Sequence, residues 1–167
     1  MFNQLTQKDI DAMEAEIEER KLVIRPKLLE SVKEARAQGD LSENFEYYAA
    51  KREKNKNESR IRFLERMIKT AEVIPDDSKE DEIGMNNTVE VEFEEDGSIE
   101  TYKIVTTMRG NSLEGLVSVE SPIGKALIGR KVGDRVFVQV NADYGYYLTV
   151  KSIENTMDDG SDKIRSF

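Results

Sequence analysis

Two acidic residues, Asp40 and Glu43, lie three positions apart in the stretch GDLSENFEYY, residues 39–48, between two long charged segments. One explanation is a capping box, in which an N-cap residue and an acidic residue three positions later satisfy backbone amides at a helix start. The other is a shared hard cation such as Mg²⁺, for which carboxylate oxygens are suitable ligands. Because two carboxylates are too few to hold Mg²⁺ tightly, a metal role needs further ligands from water, substrate phosphate or another protein.

The composition restricts which chemistry is possible. The chain contains no Cys and no His, which excludes disulfides, thiolate nucleophiles, imidazole bases and the usual zinc sites. Any metal ligands are therefore oxygen atoms, and no zinc is expected. A formal net charge of −9 argues against a protein whose main affinity is for nucleic-acid phosphates, so we expect no strong independent binding to nucleic acid.

The sequence also bears on the cellular compartment. No apolar run approaches the ~20 residues that a membrane-spanning helix requires. The first residues, MFNQ, lack the basic start and apolar core of a signal peptide. We therefore expect a cytoplasmic protein without a membrane partner.

The acidic stretch is flanked by two predicted helices. Thr6 and Asp9 have the spacing of a capping box, and apolar residues at helical spacing continue from there to about Gln38. Pro26 is expected to bend this helix without ending it. The second segment has a heptad seam, with intervals of three and four, at Tyr47, Ala50, Lys54, Asn57, Ile61, Leu64, Ile68 and Ala71.

Together the two helices predict an antiparallel hairpin that carries the carboxylates at its tip. Each arm would be ~45 Å long at about 1.5 Å per residue. The polar seam residues Lys54 and Asn57 would lie opposite residues 20–24, so we expect a weak middle in the hairpin.

The hairpin is predicted to span residues 1–75 and to be followed by an acidic linker, residues 76–83. A second domain is predicted after this linker. Residues 84–156 contain one short helix over Ile123–Ile128, begun by a Ser121-Pro122 cap, and strand patterns at Thr88–Phe93, Thr101–Val105, Leu116–Val119, Val136–Val140 and Tyr146–Ile153. Residues 157–167 are predicted to be a flexible tail. The predicted class is α+β, a long N-terminal antiparallel helical hairpin followed by a small β-rich domain.

Two stretches carry a resemblance to a known family. GDLSENFEYYAAKREK, residues 39–54, resembles the tip signature of the Gre transcript-cleavage factors, bacterial proteins that act on RNA polymerase. SPIGKALIGRKVGD, residues 121–134, is similar to that family's second signature, which lies in an FKBP-like C-terminal domain. The resemblance covers roughly residues 5–154 and is closer to the GreA branch than to the GreB branch.

The resemblance implies that the hairpin enters the secondary channel of RNA polymerase. Asp40 and Glu43 would there help to hold Mg²⁺ shared with the polymerase active site, which itself hydrolyses backtracked RNA. Ser42 and Asn44 would orient the tip or the attacking water. The chain would thus be an accessory factor and not an enzyme, and the isolated protein would bind no metal stably.

The same resemblance implies a role in RNA contact for basic residues on both arms. Arg36 and Lys51 match the family's basic patch, which meets the RNA 3′ end of backtracked complexes, and Arg52 lies beside Lys51. Without the resemblance, such charges are usually a solvated helix face. Tyr47 lies on the seam and is expected to pack, whereas Tyr48 lies off it and leaves base stacking open.

Three functions stay open at this point. The chain is an activator of RNA cleavage by RNA polymerase, a paralogue that occupies the same channel and inhibits, or a coiled-coil adaptor without a metal role. The Asp40/Glu43 pair favours the activator, and the missing cysteines exclude zinc-bearing channel factors. For the β-rich domain we expect docking and not prolyl isomerase activity, with residues 123–128 either contacting the polymerase or covering their own sheet.

Overall fold

The computed structural model describes residues 3–38, 44–77 and 79–165 of the chain. It forms two compact units, a helical hairpin from Ile10 to Ala71, and a β-rich unit that combines the residues before Ile10 with those from Glu72 onward. The predicted α+β class is confirmed. No helix among the described residues is long and apolar enough to cross a membrane.

The first arm of the hairpin contains three consecutive helical segments. Helix α1 spans Gln7–Glu19, a π-helical turn spans Arg20–Ile24, and helix α2 spans Arg25–Ala37. Pro26 lies in the first turn of α2 and has no N–H to donate. The π turn directly before it accommodates this loss, because the Arg25 N–H bonds the Arg20 carbonyl five residues back. The prediction that Pro26 does not end this helix is confirmed.

The second arm is helix α3, Phe45–Lys69. Its predicted seam is confirmed by the residues that it buries, Tyr47, Asn57, Ile61 and Leu64.

In the middle of the hairpin, where the polar seam residues predict weak packing, Asn57 is paired across the arms. The Asn57 side chain accepts a hydrogen bond from Arg20 Nη1 at 2.9 Å and donates one to the Arg20 carbonyl at 3.3 Å. Two ion pairs flank it: Arg25 bonds both Glu58 carboxylate oxygens at 2.8 Å, and Arg60 bonds Glu16 at 2.8 and 3.1 Å across the arms. These hydrogen bonds offset the cost of placing the polar Asn57 in the helical seam.

Asn57→Ala is expected to destabilise the hairpin by about 1–3 kcal/mol, because it removes two hydrogen bonds at a side chain that is only 3% exposed. Thermal unfolding followed by circular dichroism measures the loss of helix. Asn55→Ala is the matched control, since Asn55 is exposed on the same helix. Equal effects of the two substitutions would contradict a structural role for Asn57.

The β-rich unit contains two sheets. A parallel ribbon joins β1, Gln4–Leu5, to β2, Glu72–Val73. A mixed five-stranded sheet has the order β5-β4-β3-β7-β6, formed by β3 Thr88–Phe93, β4 Ile99–Val105, β5 Leu116–Ser118, β6 Arg135–Gln139 and β7 Gly145–Glu154. All five predicted strands are present, with end points shifted by at most two residues.

The short helix α4, Pro122–Leu127, covers this sheet. Ser121 caps it by accepting a hydrogen bond from the Gly124 N–H at 3.1 Å, as predicted. Leu127 is fully buried in the core, against which Ile123 and Ala126 also pack. Of the two interpretations of residues 123–128, the structure therefore supports packing against their own sheet.

Two predicted irregular segments differ from expectation. Ile83, assigned to the linker, is a core residue that is 2% exposed and exchanges backbone hydrogen bonds with residues 129 and 130. The segment 157–165, assigned to a flexible tail, contacts the β-rich unit: the Arg165 N–H bonds the Met108 carbonyl at 2.6 Å, and Asp162 pairs with Lys103 and Arg109 at 3.0 and 3.2 Å. The physical reason is that the buried Arg109 guanidinium needs acceptors, which the acidic tail supplies.

Candidate functional site

The tip of the hairpin is closed by Asn44, the N-cap residue of α3. Its side-chain oxygen accepts a hydrogen bond from the Tyr47 N–H at 3.0 Å, which satisfies one donor at the helix start. Its side-chain nitrogen donates to the Ala35 carbonyl at 2.6 Å, near the end of α2. One side chain thus links the end of one arm to the start of the other.

The three other predicted tip residues, Asp40, Ser42 and Glu43, lie outside the described residues. They belong to the connection between Gln38, the C-cap residue of α2, and Asn44. The N-cap position of α3 is therefore held by Asn44, four residues after Asp40. A capping box at the start of α3 with Asp40 as its N-cap residue does not fit this helix boundary.

The basic residues are placed on both arms near Tyr47. The Tyr47 hydroxyl accepts a hydrogen bond from Arg36 Nη2 at 3.2 Å, and the guanidinium carbon lies 5.5 Å from the centre of the Tyr47 ring. The hydrogen bond from Arg36, reinforced by the positive charges of Lys51 and Lys54, lowers the pKa of Tyr47. Arg36 and Lys51 thus act on one phenol, although they come from different helices.

The aromatic residues differ in exposure. Tyr47 is 8% exposed and packs in the seam, as predicted, whereas Tyr48 is 46% and Phe45 is 85% exposed. The rings of Tyr47 and Tyr48 meet edge to face at 5.5 Å. Tyr48 and Phe45 therefore present aromatic surface next to the tip.

The start of α3 is basic on balance. Residues 44–56 contain the cations Lys51, Arg52, Lys54 and Lys56 and the carboxylates Glu46 and Glu53. Lys51 and Arg52 are exposed. Among the described residues, which do not include Asp40 and Glu43, no group of three or more acidic side chains is arranged to hold a metal ion.

The link between Arg36 and Tyr47 was not anticipated from the sequence. Arg36 was assigned to a basic patch and Tyr47 to packing, each separately. The available signal was their position in an antiparallel hairpin, because residues at similar distances from the tip lie opposite each other.

Arg36→Gln is expected to raise the pKa of Tyr47 toward that of free tyrosine, because it removes both the hydrogen bond and the nearest charge. Lys51→Gln should raise the pKa less, since Lys51 acts through charge alone. Titration of ¹³C-labelled tyrosine by NMR gives both values. Lys56→Gln is the control on the same helix, and an unchanged Tyr47 pKa in Arg36→Gln would contradict this arrangement of the tip.

Comparison with known proteins gives consistent matches. Residues 3–73 match the family described as transcription elongation factor, N-terminal, and residues 78–155 match transcription elongation factor, GreA/GreB, C-term. The chain is 42% identical over 150 residues to transcription elongation factor GreA of Macrococcus caseolyticus, covering 90% of this chain and 94% of that protein. It is 43% identical over 145 residues to the GreA of Streptococcus thermophilus, covering 86% and 90%.

One solved structure that matches most of the chain is GreA factor homolog 1 (Gfh1) of Thermus thermophilus. It is 26% identical, with 92% of this chain and 99% of that chain covered, and the TM-score is 0.43. The family relationship depends on the sequence matches.

Proposed function

We propose that this chain, which belongs to the GreA/GreB family of transcription elongation factors, binds RNA polymerase through its secondary channel and stimulates the polymerase's own cleavage of backtracked RNA. The observation that carries the proposal is the position at which α3 begins. Asn44 joins the two arms and caps α3, so Asp40 and Glu43 are not needed as caps of that helix. A factor of this kind works in the cytoplasm, where RNA polymerase is found.

The carboxylates of Asp40 and Glu43 are chemically suited to hold a shared Mg²⁺. Carboxylate oxygens suit this ion, but Asp40 and Glu43 alone do not complete its octahedral shell. The remaining ligands would come from the polymerase active site and the RNA. When bound, the ion supplies charge stabilisation for phosphoryl transfer.

The other tip residues have supporting roles in this proposal. The Asn44 side chain is engaged with Tyr47 and Ala35 and so supports the tip, while its second N–H and second acceptor lone pair could still orient the attacking water. Ser42 lies between the two carboxylates in sequence and would orient the connection.

The basic residues would contact the RNA 3′ end. A guanidinium carries five N–H donors, so the hydrogen bond from Arg36 to Tyr47 leaves capacity for a phosphate. Lys51 and Arg52 are exposed on α3 and would add charge for the same purpose. The net charge of −9 then limits contact with nucleic acid to this local patch.

The experiment that tests the proposal adds the purified protein to artificially backtracked complexes of the cognate polymerase in Mg²⁺. Shortening of the RNA from its 3′ end supports the activator. Slower transcription without cleavage would instead identify an inhibitory paralogue, and no effect would favour an adaptor. Free RNA incubated with the protein alone is the control and should stay intact, because the chain contains no histidine to act as a general base.

A further inference from the structure

One face of the first turns of α3 carries aromatic and basic side chains. At about 3.6 residues per turn, positions 45, 48, 49, 52 and 56 lie on the same side of the helix, opposite the seam that begins at Tyr47. The residues at these positions are all exposed: Phe45, Tyr48, Ala49, Arg52 and Lys56. We refer to this face as the aromatic stripe.

Packing within the hairpin does not account for the rings of the aromatic stripe. Phe45 is 85% and Tyr48 46% exposed, whereas Tyr47 between them is 8% exposed. An aromatic ring contributes to folding mainly through the area that it buries, and Phe45 buries little. Phe45 directly follows the N-cap residue Asn44, so its backbone is fixed while its ring faces outward. Such a ring is suited to contact with another molecule.

The ring of Tyr48 is held in place by its neighbour. Tyr47 and Tyr48 meet edge to face, with 5.5 Å between the ring centres. Tyr47 is itself fixed, because its N–H donates to the Asn44 side chain and its hydroxyl accepts a hydrogen bond from Arg36. A ring that is oriented before binding loses less conformational freedom when a ligand stacks on it.

The charges of the aromatic stripe are positive. Arg52 lies about one turn beyond Tyr48, and Lys56 one turn further. Lys56 pairs with Glu53 at 3.5 Å, but both side chains are more than half exposed, so this weak pair leaves the charge available. Between residues 45 and 56, all of which the structure describes, the stripe contains no carboxylate. This local charge contrasts with the net charge of −9 of the chain.

Exposed rings followed by cations form the type of surface that binds single-stranded nucleic acid. The rings stack on bases of any sequence, and the cations pair with the phosphates. An apolar protein surface would also cover the rings, but two cations without a carboxylate on the same face favour a polyanion. The observations therefore favour RNA over a polypeptide as the ligand.

We propose that Phe45 and Tyr48 form a stacking platform for the unpaired bases of backtracked RNA, with Arg52 paired to the phosphates beside them. This inference rests on the proposed function, which brings the hairpin to that RNA. Phe45 is two positions after Glu43 in the sequence, so the platform adjoins the carboxylates assigned to Mg²⁺. Stacking restrains the RNA while the polymerase cleaves it, and Phe45 and Tyr48 are thus positioning residues.

The test uses backtracked complexes of the cognate polymerase with two synthetic RNAs. One has normal bases in its unpaired 3′ segment, and the other has abasic nucleotides there, which keep the phosphates. Cleavage is measured against the concentration of the full-length protein, relative to cleavage without it. On normal RNA, Phe45→Leu and Tyr48→Leu are each expected to lower the stimulation at subsaturating protein about tenfold, because each removes a stacking ring.

The abasic RNA shows whether the rings act on bases. Wild-type protein should itself lose about tenfold or more in stimulation on this RNA, since the bases that stack are absent. Phe45→Leu and Tyr48→Leu should then cause little further loss. This dependence of one change on the other is the signature of a direct contact between ring and base.

Matched variants separate stacking from folding. Phe45→Tyr and Tyr48→Phe keep the rings and should stimulate cleavage nearly as well as the wild type. Tyr144→Leu is the control for loss of an exposed aromatic residue elsewhere, since Tyr144 is 50% exposed and lies in the β-rich unit. Circular dichroism should give the wild-type helix content for all variants, and Phe45→Leu keeps the test valid if Tyr48→Leu folds poorly.

The outcomes distinguish this inference from the proposed function. If the wild-type protein stimulates cleavage and the leucine variants lose the same factor on both RNAs, the rings contact the polymerase and only this inference is overturned. If the leucine variants match the wild type on normal RNA, the rings have no role in positioning and again only this inference fails. If the wild-type protein does not stimulate cleavage of normal RNA, the proposed function fails together with it.

Discussion

Asp40→Asn and Glu43→Gln are each expected to reduce polymerase-dependent RNA cleavage by orders of magnitude while helix content and binding to the polymerase persist. Neutral amides keep the shape of the side chains but are much poorer Mg²⁺ ligands than carboxylates. Raising the Mg²⁺ concentration should partly restore the single variants, because excess ion offsets weaker binding by mass action. Cleavage rates across a Mg²⁺ titration measure both effects.

The capping explanation makes the opposite prediction for these variants. Asn caps a helix about as well as Asp, and Gln serves at the third position of a capping box, so stability and activity would both stay near the wild-type values. Glu46→Gln is the matched control, since Glu46 lies in the first turn of α3 and the change removes the same charge next to the pair. Wild-type cleavage by both tip variants at every Mg²⁺ concentration would show that the metal assignment is wrong.

The hairpin and the strands were predictable because each has a local pattern. In β3, Val89 and Val91 are buried and alternate with partly exposed Glu90 and Glu92, which is the alternation that identifies a strand with one buried face. The Ser121-Pro122 start of α4 is equally local, because a cap and a first-turn proline need no distant partner.

The π turn and the paired middle of the hairpin were not predictable in the same way. Pro26 indicates a disturbance, but the turn that absorbs it depends on which carbonyls find other donors. Here the Arg20 carbonyl accepts from both the Arg25 N–H and the Asn57 side chain, which lies on the other arm. A contact across 37 positions of sequence leaves no trace in the periodicity of either helix.

In the candidate site, too, some features could be predicted from the sequence and others required the structure. The types and spacing of Asp40 and Glu43 allow either a capping box or a metal site, and the metal role and the partner come from the family resemblance. The role of Asn44 as the link between the arms required the structure, because its donor reaches the Ala35 carbonyl on the opposite helix. The placement of residues 157–165 also required it, since this segment shows no apolar pattern and its Asp162 pairs with the distant cations Lys103 and Arg109.

Arg109 is a deeply buried cation of the β-rich unit. It is 2% exposed and donates to Asp9 at 2.7 Å, to Asn86 at 2.8 Å and to Asp162 at 3.2 Å. Asp9 also closes the capping box with Thr6 at the start of α1. Arg109 therefore connects the start of the first helix to the C-terminal segment within one unit.

Arg109→Met is expected to destabilise the β-rich unit by about 3–5 kcal/mol, because Asp9, with a side chain that is 0% exposed, would stay buried without its cation. Calorimetry measures the lowered unfolding temperature. Arg135→Met is the matched control: Arg135 also bonds both carboxylate oxygens of one partner, Glu94, but is 57% exposed, so its loss should cost only about 0–1 kcal/mol. Adding Asp9→Asn to Arg109→Met should recover part of the loss, since the uncompensated charge is then gone. If the two arginine variants unfold at the same temperature, the stability of the β-rich unit does not depend more on the buried Arg109 than on the exposed Arg135. The anchoring of the C-terminal segment would then need another explanation.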